Sequence, residues 1–266
     1  MEDIKVENEV AKTTSQKAVI KIDDLHLSFG SNHVVNGISL NLYENENLVV
    51  LGKSGTGKSV LIKCIVRLLK TDSGSITIGD QDITKLNNEE LNEVRKKIGF
   101  LFQSGALYDS MTVRENLEFP LKRTRKDLSQ KEIDAKVLEV LENVGLPDSI
   151  DKMPSELSGG MRKRISLART VITDPEIMLY DEPTTGLDPV TSDEISLLIN
   201  EIQSKYKTSS IIITHDIECA RTVADRVVML KEGLVYKEGT LEEFENSDDE
   251  EISSFFKNKK NKKQNK

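Results

Sequence analysis

The residues from Gly52 to Ser59 have the types and the spacing that a phosphate-binding loop needs. The segment reads Gly-Lys-Ser-Gly-Thr-Gly-Lys-Ser and fits the pattern G-x-x-x-x-G-K-[ST]. It follows a short apolar run, Leu48–Leu51, and precedes a helical pattern. Its three glycines allow the backbone to curl until successive N–H groups point at phosphate oxygens. The N-terminus of the following helix adds partial positive charge.

Two side chains of this loop are expected to act on a bound nucleotide directly. Lys58 is placed to reach the β- and γ-phosphates, and the Ser59 hydroxyl is placed to ligate Mg²⁺. A glycine-rich turn that fits the pattern by chance is the alternative, and the flanking strand and helix argue against it. The residues expected to contact the nucleotide here are Gly52, Lys53, Ser54, Gly55, Thr56, Gly57, Lys58 and Ser59.

Two carboxylates follow a second apolar run, Ile177–Tyr180. The carboxyl end of a strand is where ligands of open α/β sheets bind. Asp181 is therefore expected to hold Mg²⁺, directly or through water, and Glu182 to polarise the water that attacks the γ-phosphate. Alone, two adjacent acids could form a solvated turn. Together with a phosphate loop they predict nucleotide hydrolysis.

A second helix start with anion-binding features lies at Leu157–Met161. Ser158, Gly159 and Gly160 supply a hydroxyl and open backbone N–H groups at the N-terminus of a helix with an apolar side. This second phosphate grip has no obvious ligand in the same subunit. We therefore expect it to close over a nucleotide that a partner subunit holds.

The elements that must position these residues alternate between strands and helices. The segments Ala18–Ile22 and Ile38–Leu42 alternate in hydropathy and predict a half-exposed antiparallel sheet. Short apolar runs predict strands buried on both faces, with helical patterns between them. This order predicts an α/β fold, a P-loop NTPase core with a mostly parallel sheet. The runs are Leu48–Leu51, Ile98–Phe102, Ile177–Tyr180, Ile211–Thr214 and Val227–Leu230.

One stretch, Ser110–Ser155, has helical periodicity and no convincing strand. Its best helix opens with Ser129 and Glu132, a capping-box pair. We predict a helical subdomain at residues 110–155, inserted into an ATPase core at residues 18–109 and 156–245. Residues 1–17 are interpreted as a polar N-terminal tail, and residues 246–266 as an acidic and then Lys-rich C-terminal tail. This C-terminal tail is expected to be solvated, with contact to anionic lipid headgroups as the alternative.

Composition limits the function classes. The 266 residues carry a formal net charge of −8, which gives no field that favours nucleic acid. No apolar run approaches the ~20 residues of a membrane-spanning helix, and the polar N-terminus does not resemble a signal peptide. We therefore expect a cytoplasmic protein. Cys64 and Cys219 lack metal-ligand spacing and are expected to be inert thiols.

The order and spacing of these motifs resemble the nucleotide-binding domain of ABC transporters over residues 18–240. The resemblance implies ATP and Mg²⁺ as ligands. It also implies that Phe29 stacks on adenine and that Gln103 contacts Mg²⁺ and relays nucleotide state to a membrane partner. His215 resembles the histidine that steadies the γ-phosphate and the attacking water, and Thr185–Asp188 resembles the D-loop that crosses a dimer interface.

One departure from the general family pattern is Met161, which follows Leu-Ser-Gly-Gly where the family has glutamine. Methionine cannot donate a hydrogen bond, so only the backbone part of that grip is expected to remain. Met161, Phe102–Val113, Gly57–Val60 and Asp188–Thr191 instead resemble the ATPases of Mla/MCE-type lipid transport systems. That resemblance implies a subunit on the inner face of the cell membrane, a separate integral permease and an MCE-type substrate-binding protein.

The resemblance also implies that two copies of the chain sandwich two ATP molecules head to tail. Three alternatives stay open. The chain could energise transport of another solute, such as an amino acid, ion or peptide. It could be a soluble ABC ATPase that acts on ribosomes or DNA, although it lacks a basic face and a second cassette. A scaffold without hydrolysis is disfavoured because each catalytic position is filled.

Overall fold

The computed structural model of the protein describes residues 17–257, in which strands and helices alternate. The first half contains β1 (Ala18–Phe29), β2 (Asn32–Tyr43), β3 (Asn47–Leu51), α1 (Lys58–Ile65), β4 (Ser73–Ile78), β5 (Gln81–Asp82), α2 (Asn88–Arg95), β6 (Ile98–Leu101), α3 (Val113–Thr124) and α4 (Gln130–Asn143). The second half contains α5 (Gly159–Val171), β7 (Ile177–Asp181), α6 (Pro189–Tyr206), β8 (Ser209–Ile213), α7 (Ile217–Val223), β9 (Arg226–Lys231), β10 (Leu234–Gly239), α8 (Leu241–Glu245) and α9 (Glu250–Lys257).

The strands form two sheets. Six of them lie in the order β10-β9-β3-β8-β7-β6, and all pairs are parallel except the edge pair of β9 and β10. The other four form an antiparallel sheet in the order β2-β1-β4-β5. The predicted fold class, a mostly parallel sheet with an antiparallel subdomain, is confirmed.

The six-stranded sheet separates two hydrophobic cores. Successive side chains of a strand point to opposite faces, so the unbroken apolar runs supply both cores at once. Val49 of β3 packs with the helices α3 to α7, whereas Leu48 and Val50 pack with α1 and the antiparallel sheet. The same division holds in β7, where Tyr180 belongs to the first core and Leu179 to the second.

This sheet brings the predicted motifs to one edge. The carboxyl ends of the parallel strands β3, β7 and β8 lie side by side, because β8 pairs with both neighbours. Gly52 follows β3, Glu182 follows β7 and His215 follows β8 after one further residue. Three segments that are distant in the chain therefore meet at a single crevice.

Between residues 110 and 155 the chain forms α3, α4 and two short 3₁₀ turns, without a strand. The capping box predicted at Ser129 and Glu132 is confirmed: the Ser129 hydroxyl accepts from the Glu132 N–H, and the Glu132 carboxylate accepts from the Ser129 N–H. The apolar stripe of α4 is buried against α3 and α5. None of the helices in residues 17–257 is both long and apolar enough to cross a membrane.

Two local predictions need correction. The apolar pattern after the phosphate loop predicts a buried helix up to Leu69, but α1 ends at Ile65, Arg67 has a φ of 52°, and Leu68 is 54 % exposed. The second concerns the predicted C-terminal tail, of which residues 250–257 form the helix α9. Ile252 and Phe256 of this helix are 1 % and 6 % exposed because they pack into the helical-face core, which is the first of the two cores and is covered by the helices α3 to α7. Residues 1–16 and 258–266 of the predicted tails lie outside the described residues.

Candidate functional site

A cavity of about 850 Å³ opens at the carboxyl edge of the sheet. Most of the predicted phosphate loop lines it, and Gln103, Glu182 and His215 line it from neighbouring segments. Residues separated by more than a hundred positions thus surround one space of the size that ligand pockets typically have. The structure therefore brings together the residues that the sequence predicts to meet around a nucleotide phosphate.

Lys58 lies inside the curl of the loop. Its Nζ donates to the carbonyl oxygens of Gly52 at 2.7 Å and Lys53 at 3.0 Å, and the residue is only 7 % exposed. Burial lowers the pKa of Lys58, while the nearby carboxylates of Glu182 and Asp181 act to raise it. An ammonium held in this way can exchange its carbonyl partners for phosphate oxygens without leaving the loop.

The loop conformation depends on Gly57. Its φ of 94° lies in the left-handed region that favours glycine, and a Cβ at this position would approach the Val34 carbonyl oxygen to 2.6 Å. Thr56 supports the curl from within, because its hydroxyl donates to the Lys53 carbonyl at 2.9 Å. Thr56 is not among the residues that line the cavity, so its side chain braces the loop.

Ser59 and Asp181 offer oxygen atoms at a common point. The Ser59 hydroxyl donates to Asp181 Oδ1 at 2.8 Å, and Asp181 is 5 % exposed at the end of β7. Mg²⁺ prefers oxygen ligands and binds ATPase sites through one or two carboxylates together with substrate phosphates. A hydroxyl and a carboxylate next to a phosphate loop fit that donor set.

Glu182 is held in contact with His215. Glu182 Oε2 and His215 Nδ1 lie 2.7 Å apart, a distance at which a protonated Nδ1 donates to the carboxylate. The Thr185 hydroxyl donates to the same Oε2 at 3.0 Å. Glu182 also has a φ of 52°, a conformation that L-residues adopt at a cost of about 1–3 kcal/mol and that concentrates at functional sites. The carboxylate can thus accept a proton in the cavity, and the imidazole lies on its exposed side.

Gln103 follows β6 and is linked to the helix α5 through Lys163. The buried Lys163 ammonium donates to the Gln103 carbonyl at 2.9 Å. Burial lowers the pKa of Lys163, whereas the carboxylates of Asp181 and Glu182 act to raise it. The Lys163 ammonium therefore interacts electrostatically with the two carboxylates at the carboxyl edge of the sheet. The sequence analysis missed Lys163. Its position between Arg162 and Arg164 has the composition of a solvated helix face, so the sequence carried no clear signal for it.

Ser158, Gly159 and Gly160 do not line this cavity. They line a separate cavity of about 460 Å³ together with Gly186, Asp188 and other residues of the predicted D-loop. Ser158 caps α5, because its hydroxyl oxygen accepts from the Met161 N–H at 3.2 Å. The two predicted phosphate grips of one chain therefore face different spaces.

Phe29 is 51 % exposed at the end of β1 and is not among the residues that line the first cavity. Val34 of β2 lines the cavity, whereas Phe29 does not. The predicted contact between Phe29 and adenine therefore stays a prediction. Two residues that the sequence analysis missed, Ser254 and Phe255 of α9, also line the cavity. The predicted inert thiols are both buried, and burial raises the pKa of Cys64 to about 12 and that of Cys219 to about 11.

Two solved structures resemble this fold. One is described as a dimeric, post-hydrolysis state of the ATP-binding cassette MJ0796 bound to ADP and Pi. It has a TM-score of 0.76 at 32 % identity and covers 84 % of this chain and 98 % of its own. The other is cbiO1 from Clostridium perfringens, described as part of the ABC transporter complex cbiONQ. Its TM-score is 0.78 at 28 % identity, and the match covers 94 % of each chain.

Curated relatives give the same family. The probable ribonucleotide transport ATP-binding protein mkl of Mycobacterium leprae is 44 % identical over 211 residues, which are 79 % of this chain and 60 % of that protein. The methionine import ATP-binding protein MetN of Brucella abortus is 38 % identical over 221 residues, 83 % of this chain and 59 % of its own. The chain thus spans less than two thirds of the length of these two relatives.

A family model described as ABC transporter matches residues 35–185, which is more than half of the chain. The match includes the phosphate loop, the anion-binding helix start at Leu157–Met161 and the carboxylates of Asp181 and Glu182. The chain therefore belongs to the ABC transporter family, whose ATP-binding cassettes are ATPases that bind ATP with Mg²⁺.

Proposed function

We propose that this chain is the ATP-hydrolysing subunit that drives lipid transport through a separate integral permease. It works as a head-to-tail pair of identical copies on the inner face of the cell membrane. The main support for ATP hydrolysis is the 850 Å³ cavity, in which a phosphate loop faces the contact between Glu182 and His215.

In this proposal the polar residues at the carboxyl edge of the sheet act on the terminal phosphates of ATP. Lys58 binds the β- and γ-phosphate oxygens, and Gln103 contributes to the Mg²⁺ site beside Ser59 and Asp181. Mg²⁺ held there would neutralise charge that develops on the phosphate oxygens. Glu182 orients the attacking water and accepts its proton, and His215 steadies the γ-phosphate.

The paired arrangement follows from the two separate grips. The N-terminus of α5 has anion-binding features but faces a different cavity from the phosphate loop of the same chain. A second copy rotated head to tail would bring its Ser158–Gly160 onto the nucleotide at Gly52–Ser59. Nucleotide would then join the two copies, and hydrolysis would release them. ATP binding drives closure of the pair because the closed pair binds ATP more tightly than the open pair does.

The segment Phe102–Val113 is the proposed contact with the permease. Tyr108 is 41 % exposed there, and its ring packs edge-on against Phe119, with ring centroids 5.1 Å apart. The Arg169 guanidinium lies 5.1 Å from the Tyr108 ring centroid. An aromatic ring that is exposed, yet held by an aromatic and a cationic neighbour, is a suitable anchor for a partner helix. Movement of the Gln103 end of this segment would pass nucleotide state to that anchor.

Asn116 holds this segment on α3. It is fully buried; its Oδ1 accepts from the Tyr108 N–H at 2.8 Å, and its Nδ2 donates to carbonyls of Tyr108, Met111 and Thr112 at 3.0–3.1 Å. Asn116→Ala removes the partners of the Tyr108 N–H and of the Met111 carbonyl, so we expect the free energy of unfolding to fall by about 2–4 kcal/mol. The carbonyls of Tyr108 and Thr112 keep their backbone N–H donors. Urea denaturation measures the change. Asn92→Ala, at an exposed position on α2, is the control. An equal loss of unfolding free energy in both variants would contradict the role of Asn116 in holding this segment.

The lipid assignment rests on the resemblance of Met161 and the Phe102–Val113 segment to lipid-transport ATPases. A second candidate is transport of another solute, which is supported by the names of the two curated relatives, one for ribonucleotide transport and one for methionine import. Both candidates use the same ATPase chemistry, and they differ only in the permease and its cargo.

Purification from detergent-solubilised membranes distinguishes these candidates. The chain should bring down one integral permease together with bound phospholipid and an MCE-type protein. Recovery of a permease that carries a nucleotide or an amino acid, without lipid, would support the second candidate and contradict the first. Asn116→Ala should reduce permease recovery while Asn92→Ala does not.

A further inference from the structure

The C-terminal helix α9 touches the nucleotide cavity through one face. Asp249 caps the helix by accepting from the Glu251 and Ile252 N–H groups at 2.9 and 3.1 Å, and it also accepts from the Tyr236 hydroxyl at 2.7 Å. Ile252 and Phe256, four residues apart, lie on the buried face. Glu251, Ser254 and Phe255 share a neighbouring face, because residues three and four apart are neighbours on a helix.

Glu251 joins this helix to the phosphate loop. One of its carboxylate oxygens forms an ion pair with Lys53 of the loop, and the other lies 3.3 Å from the Lys231 ammonium at the end of β9. Hydrogen bonding from Lys53 is the main cause that lowers the pKa of Glu251. The Glu251 side chain is 22 % exposed and the Lys53 side chain 60 % exposed, so solvent screens the pair and its expected contribution is small.

Ser254 and Phe255 extend the same face into the cavity, which the phosphate loop, Glu182 and His215 also line. Phe255 packs at the same time against the helical-face core, and Phe244 and Phe256 pack behind it with ring centroids 6.3 Å apart. The ring of Phe255 therefore lies between the core and the space that a nucleotide would occupy.

We infer that α9 forms a wall of the nucleotide site of its own chain. In this wall Glu251 positions the phosphate loop, and the environment of the Phe255 ring changes when nucleotide binds. Glu251 acts through Lys53: the ion pair restrains the loop in its curled form before nucleotide arrives, so less ordering is needed on binding. Binding and docking are then linked reciprocally: the factor by which docked α9 raises the affinity for nucleotide equals the factor by which bound nucleotide raises the docking equilibrium of α9. The inference rests on the nucleotide site and is independent of the transported solute.

A single tryptophan can report this linkage, because the natural chain contains none. In Phe255→Trp, the indole emission should change on addition of MgATP or MgADP, with a midpoint equal to the Kd measured by calorimetry. Leu197→Trp, on the exposed face of α6, is the matched control and should not respond. An unresponsive Phe255→Trp that still binds nucleotide would overturn the inference and leave the nucleotide site intact. A natural chain that binds no nucleotide would overturn both.

The role of Glu251 is tested by removing its charge. Glu251→Gln should raise the Kd for MgATP by about 2- to 5-fold, the effect expected of one partly exposed ion pair. Turnover at saturating ATP should stay unchanged, and Glu251→Asp should restore part of the affinity. Glu250→Gln removes the same charge at an exposed position of the same helix and should leave the Kd unchanged. Equal Kd values for the two glutamine variants, or tighter binding in Glu251→Gln, would contradict the positioning role.

Discussion

Glu182→Gln is expected to lower the turnover of ATP by about 10²–10⁴-fold, the usual contribution of a general base. The amide keeps the size of the side chain, but it cannot accept the proton of the attacking water. Nucleotide binding should remain, because the phosphate loop is untouched. Phosphate release measured at saturating MgATP gives the turnover, and calorimetry gives the Kd.

Glu176→Gln provides the matched control for this experiment. It makes the same chemical change at the opposite end of β7, where the side chain is exposed and forms an ion pair with Lys97. Its turnover should equal that of the natural chain. If Glu182→Gln also retained natural turnover, the assignment of the base would be wrong, whatever its contact with His215.

Lys58→Ala is expected to remove tight nucleotide binding. Truncating one partner of a buried, hydrogen-bonded charge pair costs about 2–5 kcal/mol, which corresponds to roughly a 30- to 3,000-fold increase in Kd. The fold outside the loop should not depend on the ammonium, because the two carbonyls to which it donates, those of Gly52 and Lys53, belong to the phosphate loop itself.

Titration calorimetry with MgATP measures the loss of affinity. Lys63→Ala, on the same helix α1 but outside the cavity lining, is the control and should bind as the natural chain does. Thermal melting checks that both variants are folded. Unchanged affinity in a folded Lys58→Ala variant would contradict the role of this lysine in the phosphate loop.

Long-range architecture was predictable because the buried strands of the parallel sheet are unbroken apolar runs. The antiparallel strands were predicted too short, for a local reason. In β1 the buried positions are Ile20 and Ile22 and then Leu25 and Leu27, so the alternation changes phase. A register irregularity lies between Ile22 and Leu25, and Asp24 within it has a φ of 45°. Hydropathy alternation alone cannot follow a strand through such a bulge.

Most residues of the candidate site were predictable because they belong to contiguous motifs. In the phosphate loop and in the pair Asp181–Glu182, the residues that act together are consecutive in the sequence. Lys163 and Glu251 do not, because each reaches the site through one side chain that projects from a helix elsewhere in the chain. The acidic run around Glu251 has the composition of a solvated tail, and only Ile252 and Phe256 indicate that it packs.

The assembly of two copies around two nucleotides can be measured directly with the Glu182→Gln variant, which should bind MgATP without consuming it. Small-angle scattering and light scattering should show a monomer without nucleotide and a dimer with MgATP, and replacing Ser158 with a bulky residue should prevent the dimer without abolishing ATP binding. A chain that stays monomeric when saturated with MgATP would contradict the account.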